Sequence, residues 1–238
     1  EHEAARDLCE LDRRQFLQTA AGRITAAALV QGSTSAAAGP AIGANASGIP
    51  LRPFGRTKEM VSIMALGGHA STNPNKLEEA ASLRLIQRAV DEGITFLDNC
   101  WDYHDGVAEE RMGKALSAGG RRDKAFLMTK VCGRTAREAQ ANLEDSLRRL
   151  QTDHIDLWQF HEIVYDNDPD WIFAEEGAYQ IGVKALKEGK VRYLGFTGHK
   201  DPSIHLKMLA KPHEWDAVLM PRNVMDVHFR SLQKQVLP

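Results

Sequence analysis

Residue types that can act together on a carbonyl group recur at the ends of apolar segments of this chain. Asp98, Lys130 and His161 each close such a segment, and Tyr103 follows five residues after Asp98. A tyrosine hydroxyl with a pKa near ~10 is a weak acid at neutral pH, but an adjacent ammonium such as that of Lys130 stabilises the phenolate. Asp98 can hold that ammonium charged, and His161 can hydrogen-bond the carbonyl oxygen. Together these residues indicate proton donation to a carbonyl.

The elements that must position these residues alternate regularly along the chain. Strands are predicted at 63–66, 94–97, 125–129, 155–160, 191–196 and 217–220, and helices at 77–92, 109–116, 136–150, 183–186 and 204–209, after a hairpin within 51–63. Apolar strands that alternate with helices predict a parallel sheet covered on both faces. A doubly wound sheet and a (β/α) barrel both fit. Neither G-x-G-x-x-G after the first strand nor G-x-x-x-x-G-K-[ST] anywhere is present, which favours the barrel.

In a (β/α) barrel, the residues that end the strands share the carboxyl-terminal rim, where active sites are built. Asp98, Lys130 and His161 would lie there beside Thr197 and His199, which end the fifth strand. Each also has an ordinary interpretation, because a strand-end Asp is commonly a cap and a Lys or His after a strand is commonly solvated or structural. The arrangement on successive strand ends is what favours catalysis.

Five motifs resemble those of the aldo-keto reductase family: GITFLDNCWDYHDG at 93–106, EERMGKAL at 109–116, LMTK at 127–130, NLEDSLRRL at 142–150 and DHIDLWQFH at 153–161. The resemblance runs from about residue 51 to 220. It implies an α/β fold, the (β/α)8 TIM barrel, and reduction of an aldehyde or ketone with NADP or NAD as cofactor. By position, Tyr103 is then the general acid, Asp98 and Lys130 tune it, and His161 orients the carbonyl.

The positions that would bind the cofactor depart from the family pattern. The Ser-Asn pair that holds the nicotinamide carboxamide is Thr197-Gly198-His199 here. Thr197 can still form a hydrogen bond, Gly198 cannot replace an amide side chain, and His199 is expected to contribute. Gly67, at the end of the first strand, is the remaining predicted cofactor contact. The family's Asp-Thr-Ala is Asp98-Asn-Cys, which leaves the four catalytic positions intact.

The composition limits the other classes of function. The 238 residues are 43% hydrophobic and 26% charged with a net charge of -2, which is typical of a globular protein and argues against a nucleic-acid partner. No uncharged run approaches the ~18–20 apolar residues of a membrane span. Cys9, Cys100 and Cys132 are far apart without a C-x-x-C pair, so neither a disulfide framework nor a zinc cage is predicted. The expected partner is a small-molecule carbonyl substrate.

Two other functions stay open at this point. A metal-dependent hydrolase on the same barrel would use zinc ligands at or just after strand ends, namely His69, Asp98, His161 and His199. Against it, the first strand has no H-x-H pair and Tyr103 would have no role. The other alternative is a non-catalytic interaction protein, like the aldo-keto reductase relatives that act as channel subunits, although the intact set of four residues argues against this.

Residues 1–48 differ from the rest and resemble a twin-arginine export signal followed by a flexible linker. RRQFL at 13–17 precedes a weakly apolar stretch at 24–30, and Ala-Asn-Ala at 44–46 is a possible cleavage site. The motif Gly-Phe-Thr-Gly-His at 195–199 is similar to that of bacterial aldo-keto reductases, some of which carry such signals. This interpretation predicts the twin-arginine machinery as a partner and an exported, periplasmic protein. The alternative is a short surface helix leading into the linker of a cytoplasmic enzyme.

The length predicts a partial barrel. The 190 residues after residue 48 compare with about 250 in a complete (β/α)8 barrel. We therefore expect residues 49–238 to form about six of the eight βα units, truncated at the C-terminus. Exposed edges on the first and sixth strands, a risk for aggregation, and little independent affinity for the cofactor would follow.

Overall fold

A parallel sheet of six strands, curled into half a barrel, organises the part of the chain that the structure describes, residues 43–238, in this computed structural model. The strands are β1 Gly43–Ala44, β2 Pro50–Pro53, β3 Met60–Ser62, β4 Ala65–Gly67, β5 Phe96–Asp98, β6 Phe126–Val131, β7 Ile155–Phe160, β8 Val191–Thr197 and β9 Ala217–Leu219. β4 to β9 lie side by side in chain order, all parallel, while β1, β2 and β3 form a small antiparallel sheet.

Helices connect every pair of successive parallel strands. They are α1 Gly68–Ser71, α2 Glu79–Asp91, α3 Val107–Leu116, α4 Arg121–Lys124, α5 Ala136–Leu150, α6 Asp168–Ile172, α7 Ala178–Lys187, α8 Pro202–Leu209 and α9 Leu232–Gln235, with short 3₁₀ turns at Gly55–Thr57, Tyr103–Gly106 and Asp226–His228. This alternation confirms the predicted incomplete (β/α)8 barrel. Among the helices of residues 43–238, none has the length and apolarity needed to cross a membrane.

Some boundaries differ from the sequence-based expectation. β6 was expected to stop at residue 129 but continues to Val131, so Lys130 lies inside the strand rather than after it. The predicted hairpin is present as β2 and β3, and β1 pairs with β2. Residues 43–48, assigned to the linker, are tied to the sheet because the Asn45 side chain donates to the Gly93 carbonyl at 2.7 Å. The paired arginines and the apolar stretch of the predicted leader lie outside the described residues.

Helix α5 shows how the local sequence fixes an element. Thr135 and Glu138 form a capping box in which each side chain accepts from the other residue's backbone N–H, so the helix begins at Ala136. Ala139 and Leu143 recur at helical spacing on the buried face that packs against the sheet. β6 and β7 are buried along their whole length, as expected for central parallel strands covered by helices.

The amino-terminal end of the sheet is closed by aromatic side chains. Phe126, at the start of β6, lies 5.3 Å from Phe96 and 5.4 Å from Phe54, which follows β2, measured between ring centroids. Tyr193 stacks on its other side at 6.1 Å. Tilted and offset rings at these separations are favourable packing arrangements. The small sheet and these rings therefore close this end of the half-barrel.

A buried carboxylate at the same end of the sheet links neighbouring strands through ion pairs and a hydrogen bond. Asp156, in β7, accepts from Arg192 at 2.5 Å, pairs with Arg122 at 3.0 Å and accepts from the Leu127 backbone N–H at 2.8 Å. Glu59, between the small sheet's strands, bonds to the same Arg192. Every oxygen of Asp156 is thus paired, which a buried charge requires.

Candidate active site

A fully buried lysine ammonium is the centre of the site at the other end of the sheet. Lys130 is 1% exposed, and its Nζ donates to Asp98 Oδ1 at 2.5 Å and to the Asn99 carbonyl at 2.7 Å. The third contact is the hydroxyl of Tyr103, at 3.2 Å. Three acceptors for three ammonium protons satisfy the buried charge. Adjacent parallel strands bring them together, since β5 ends at Asp98 beside β6, which carries Lys130.

Burial and charge act in opposite directions on these groups. Burial is the largest single effect on the pKa of Lys130 and lowers it, but the Asp98 carboxylate together with Cys100 and Tyr103 raises it by more, so the net pKa is raised and the ammonium stays charged. Burial raises the pKa of Tyr103, and the Lys130 ammonium lowers it by less. Lys130 therefore lowers the pKa of Tyr103, as its charge predicts, but burial has the larger effect and the net direction is upward.

The loop that carries Tyr103 has a strained backbone. His104 and Asp105 have φ of 55° and 56°, and Gly106 follows with φ of 92°. Left-handed conformations at two consecutive residues with side chains persist only where the surroundings impose them. Arg149 of α5 holds the segment on either side of them, since its guanidinium fills the space where a Gly106 side chain would lie and its Nη1 donates to the Trp101 carbonyl at 2.9 Å.

His161 lies directly after β7, held by a 2.9 Å bond from its backbone N–H to the Val131 carbonyl. Its ring stands edge-on to Tyr103 with centroids 6.0 Å apart. Its Nδ1 lies 3.2 Å from the sulfur of Cys100 and 3.5 Å from that of Cys132. Nε2, on the other edge of the ring, makes no hydrogen bond within residues 43–238 and is available to a bound molecule.

Cys100 and Cys132, for which the sequence predicts neither a disulfide framework nor a zinc cage, have sulfurs 3.9 Å apart. They are brought together because one follows β5 and the other follows β6. Burial raises the pKa of the Cys100 thiol, while the hydrogen bond from Cys100 lowers the pKa of Cys132. The two sulfurs therefore differ in their tendency to ionise.

A cavity of about 600 Å³ opens over these groups. It is lined by Lys130 and by residues that end or follow strands of the parallel sheet: His69, Asp102, Tyr103, His104, His161, Glu162, Thr197, Gly198, His199, Leu219, Met220 and Pro221. Three of the four predicted catalytic residues line it directly, and Asp98 contacts Lys130 at its wall. Its volume is that of a small-molecule pocket.

The predicted cofactor positions are brought together only in part. Thr197, Gly198 and His199 line the cavity, but Gly67 does not. The Thr197 hydroxyl accepts from the Glu162 backbone N–H at 2.7 Å and can still donate its own proton. Gly198 is required by packing, because an added Cβ would lie 2.8 Å from the ring of His205.

His199 contributes a second polar group to this wall. One of its nitrogens, Nε2, lies 2.9 Å from the Glu162 carboxylate, and the other is without a hydrogen bond in the described part of the chain. A hydroxyl donor and an imidazole nitrogen beside each other fit the amide of a nicotinamide ring. The donor set is compatible with the predicted cofactor, although no side-chain amide contributes to it.

Two further histidines, overlooked as partners of the acid, surround Tyr103. The His69 ring contacts that of Tyr103 edge-on at 5.2 Å, and His104 Nε2 donates to the His69 carbonyl at 2.8 Å. The position of His104 directly after Tyr103 was the signal that could have identified it. The hydrolase alternative is not favoured, because His69, Asp98, His161 and His199 do not cluster as metal ligands within residues 43–238 and Asp98 is bonded to Lys130.

Comparison with known proteins matches a family model described as the aldo/keto reductase family, over residues 63–237. Aldo-keto reductase YhdN of Bacillus subtilis is 30% identical over 171 residues, which cover 68% of this chain and 48% of that protein. The chain spans about half the length of the curated relatives it matches.

Solved structures agree with this match. Aldo-keto reductase AKR11C1 of Bacillus halodurans, in its holo form, superposes with a TM-score of 0.62 and 28% identity, covering 73% of this chain and 58% of that one. An aldo/keto reductase of Klebsiella pneumoniae in complex with NADPH gives a TM-score of 0.53 and 27% identity, covering 63% of this chain and 50% of that one.

Proposed function

The chain belongs to the aldo/keto reductase family, and on this premise we propose that it reduces an aldehyde or ketone to an alcohol with NADPH or NADH. The observation that carries the proposal is the buried Lys130 ammonium, which links Asp98 to the Tyr103 hydroxyl at the wall of the cavity. An ammonium this deeply buried needs a compensating role, because burial of a charge is costly. Support of a proton-donating phenol provides that role.

Tyr103 is assigned as the general acid. Its raised pKa keeps the hydroxyl protonated across the neutral range, so the proton is present when the carbonyl oxygen gains negative charge. The phenolate that results lies 3.2 Å from the Lys130 ammonium, which stabilises it until solvent returns the proton. Asp98 keeps Lys130 charged throughout.

His161 is assigned to orient the substrate. Its Nδ1 faces two sulfurs, so Nε2 is the atom left to donate to the carbonyl oxygen. Thr197 and His199 are assigned to hold the nicotinamide carboxamide. When bound, NAD(P)H supplies the hydride that the carbonyl carbon receives. The NADPH complex of the Klebsiella relative supports NADP as the first cofactor to test.

The decisive test is reduction of simple aldehydes and ketones by the 238-residue chain. The concentrations of NADPH and of NADH are each increased until the rate saturates or the cofactor reaches its highest usable concentration. Tyr103→Phe should lower kcat/KM by about 10²- to 10⁴-fold, since it removes the proton donor and keeps the ring. Tyr165→Phe is the matched control, because Tyr165 is 60% exposed and outside the cavity lining. Full activity in Tyr103→Phe would contradict the proposal, whereas absence of activity in the wild-type chain would match the weak cofactor affinity expected of a partial barrel.

Export is a separate proposal that rests on the sequence of residues 1–48. The paired arginines followed by Phe-Leu and an apolar stretch support recognition by the twin-arginine machinery. A reporter fused to residues 1–48 should reach the periplasm, and Arg13→Lys with Arg14→Lys should retain it in the cytoplasm. Equal export of both fusions would reject the assignment.

A further inference from the structure

Three side chains that the proposed reduction does not use meet the Nδ1 edge of His161 beside the site. The atoms are Cys100 Sγ, Cys132 Sγ, His161 Nδ1 and a carboxylate oxygen of Asp102, and all lie within 4.8 Å of one another. The sulfurs are 3.9 Å apart, Nδ1 is 3.2 and 3.5 Å from them, and Asp102 Oδ1 is 3.9 Å from Nδ1. Two sulfurs, one imidazole nitrogen and one carboxylate thus surround a common point.

The separations among the two sulfurs and the nitrogen are those of a tetrahedral metal site, and the Asp102 oxygen, 3.9 Å from Nδ1, must move closer to complete it. With Zn–S near 2.3 Å and Zn–N near 2.0–2.1 Å, a regular tetrahedron places two sulfurs about 3.8 Å apart and a sulfur about 3.5 Å from a nitrogen. The observed distances lie within a few tenths of an ångström of these values. We propose that Cys100, Cys132, His161 and Asp102 bind one thiophilic divalent cation, of which Zn²⁺ is the prototype.

The scaffold holds these ligands without a large rearrangement. Cys100, Cys132 and His161 follow β5, β6 and β7, three adjacent strands of one sheet. The pairing of Val131 with Phe160 places the next residue of each strand, Cys132 and His161, side by side. Rigid strand ends fix a first shell better than loops do.

Charge and access favour occupation by a cation. Cys100 is fully buried and Cys132 half-buried, whereas the Asp102 side chain is 46% exposed and can close on an ion arriving from solvent. A divalent cation replaces the two thiol protons and balances the two thiolates, so the site with its carboxylate keeps a single negative charge. Paired thiolates select Zn²⁺ over the oxygen-seeking cations Mg²⁺ and Ca²⁺.

Occupation would also fix the protonation of His161. A metal on Nδ1 leaves the single proton of the neutral imidazole on Nε2, the atom assigned above to donate to the carbonyl oxygen. This consequence for the substrate rests on the proposed reductase function, whereas the metal site itself does not.

The site is tested on the reduced 238-residue chain, freed of metal by a chelator and titrated with Co²⁺ and then Zn²⁺. One equivalent of Co²⁺ should give the intense visible ligand-field bands of a tetrahedral site and sulfur-to-cobalt charge-transfer bands in the near ultraviolet, and Zn²⁺ should abolish both. Cys132→Ser should weaken binding about 100-fold or more. Cys9→Ser, which removes the chain's remaining thiol, is the matched control and should bind as wild type.

The outcomes separate clearly. Absence of thiolate-to-cobalt bands in the folded wild-type chain or equal binding by Cys132→Ser would each overturn the proposal. Circular dichroism of each variant verifies folding, and the wild-type spectrum decides the matter even where a variant does not fold. Long-range ¹H–¹⁵N spectra of His161 should show the Nε2–H tautomer on addition of Zn²⁺. Loss of reductase activity in Tyr103→Phe bears on the proposed function alone.

Discussion

The two ends of the same parallel sheet are built differently. At the amino-terminal end, Phe126 is packed between three rings, and Asp156 has every oxygen paired with an arginine or a backbone N–H. At the carboxyl-terminal end, Lys130 is buried beside an open cavity and a strained loop carries Tyr103. One end is filled and the other is kept open.

The difference indicates that stability and chemistry are separated along the strands. Packing and satisfied charges lower the free energy of the folded state and require nothing of a ligand. A buried charge, left-handed residues and a cavity raise that free energy, and are retained where they serve a site. Substitutions at the two ends should therefore affect different measurements.

The largest effect on stability is expected at Phe126. Phe126→Ala removes a ring that is 6% exposed and leaves a cavity among its neighbours, so the free energy of unfolding should fall by about 3–5 kcal/mol. Urea denaturation followed by circular dichroism measures it. Tyr103→Phe, at the opposite end, keeps its ring and should change stability by less than about 1 kcal/mol. If Tyr103→Phe lowered the free energy of unfolding as much as Phe126→Ala, the two ends of the sheet would not differ in the way described.

Two aspartates, one at each end of the sheet and each paired with a cationic side chain, provide a second test of the difference between the ends. Asp156→Asn weakens hydrogen bonds to two arginines and should cost about 1.5–3 kcal/mol of unfolding free energy, with kcat/KM retained. Asp98→Asn removes the charge that holds Lys130 and should reduce kcat/KM, and it should also lower stability because the 1% exposed Lys130 ammonium loses its charge partner. Paired denaturation and activity assays test both, and the reverse pattern would reject the separation.

A smaller loss of stability should come from Thr135, which lies near the carboxyl-terminal rim but has no assigned role in the chemistry. Thr135→Ala removes the cap of α5 and should cost about 1 kcal/mol. Activity should persist because Thr135 lies outside the cavity lining. Thermal denaturation and kcat/KM of this variant test whether contact with the cavity, rather than location at one end, decides what a residue does.

The smallest change in kcat/KM and in stability is expected on varying the pH around neutrality. The pKa of Tyr103 and that of Lys130 are both raised, so both groups keep their protons up to about pH 10. Deprotonation of either should reduce kcat/KM only above that pH, and stability gained from protonated Tyr103 should likewise be lost only on the alkaline side. A decline centred near neutral pH that disappears in Tyr103→Phe but not in Tyr165→Phe would contradict this assignment.

The repeating features of the fold could be predicted from the sequence. Apolar strand segments alternate with amphipathic helices, so the order of elements and the strand ends carrying Asp98 and His161 follow from local patterns. The predicted contact of Lys130 with Asp98 and Tyr103 is present because strand ends on neighbouring strands meet at one rim. Their chemical roles stay predictions until the activity measurements are made.

Features that depend on register or on backbone strain could not be predicted. Cys100 and Cys132 are 32 positions apart in the chain, and only the pairing of β6 with its neighbours brings them beside His161. His104 and Asp105 adopt left-handed backbone conformations, but neither is a glycine, so the sequence gives no indication of a positive φ at these two positions. Likewise, the balance of burial against charge at Tyr103 depends on the depth of the site, which spacing does not report.

The contact between Gly106 and Arg149 affects how much conformational entropy is lost when a ligand binds. Since the guanidinium occupies the place of a side chain and holds the Trp101 carbonyl, the loop bearing Tyr103 has few alternative conformations. Its conformational entropy is lost when the chain folds and not when a ligand arrives. A loop ordered beforehand leaves more of the interaction energy of a ligand available for affinity and alignment. Helix α5, on the outer face of the sheet, thereby preorganises the acid on the inside.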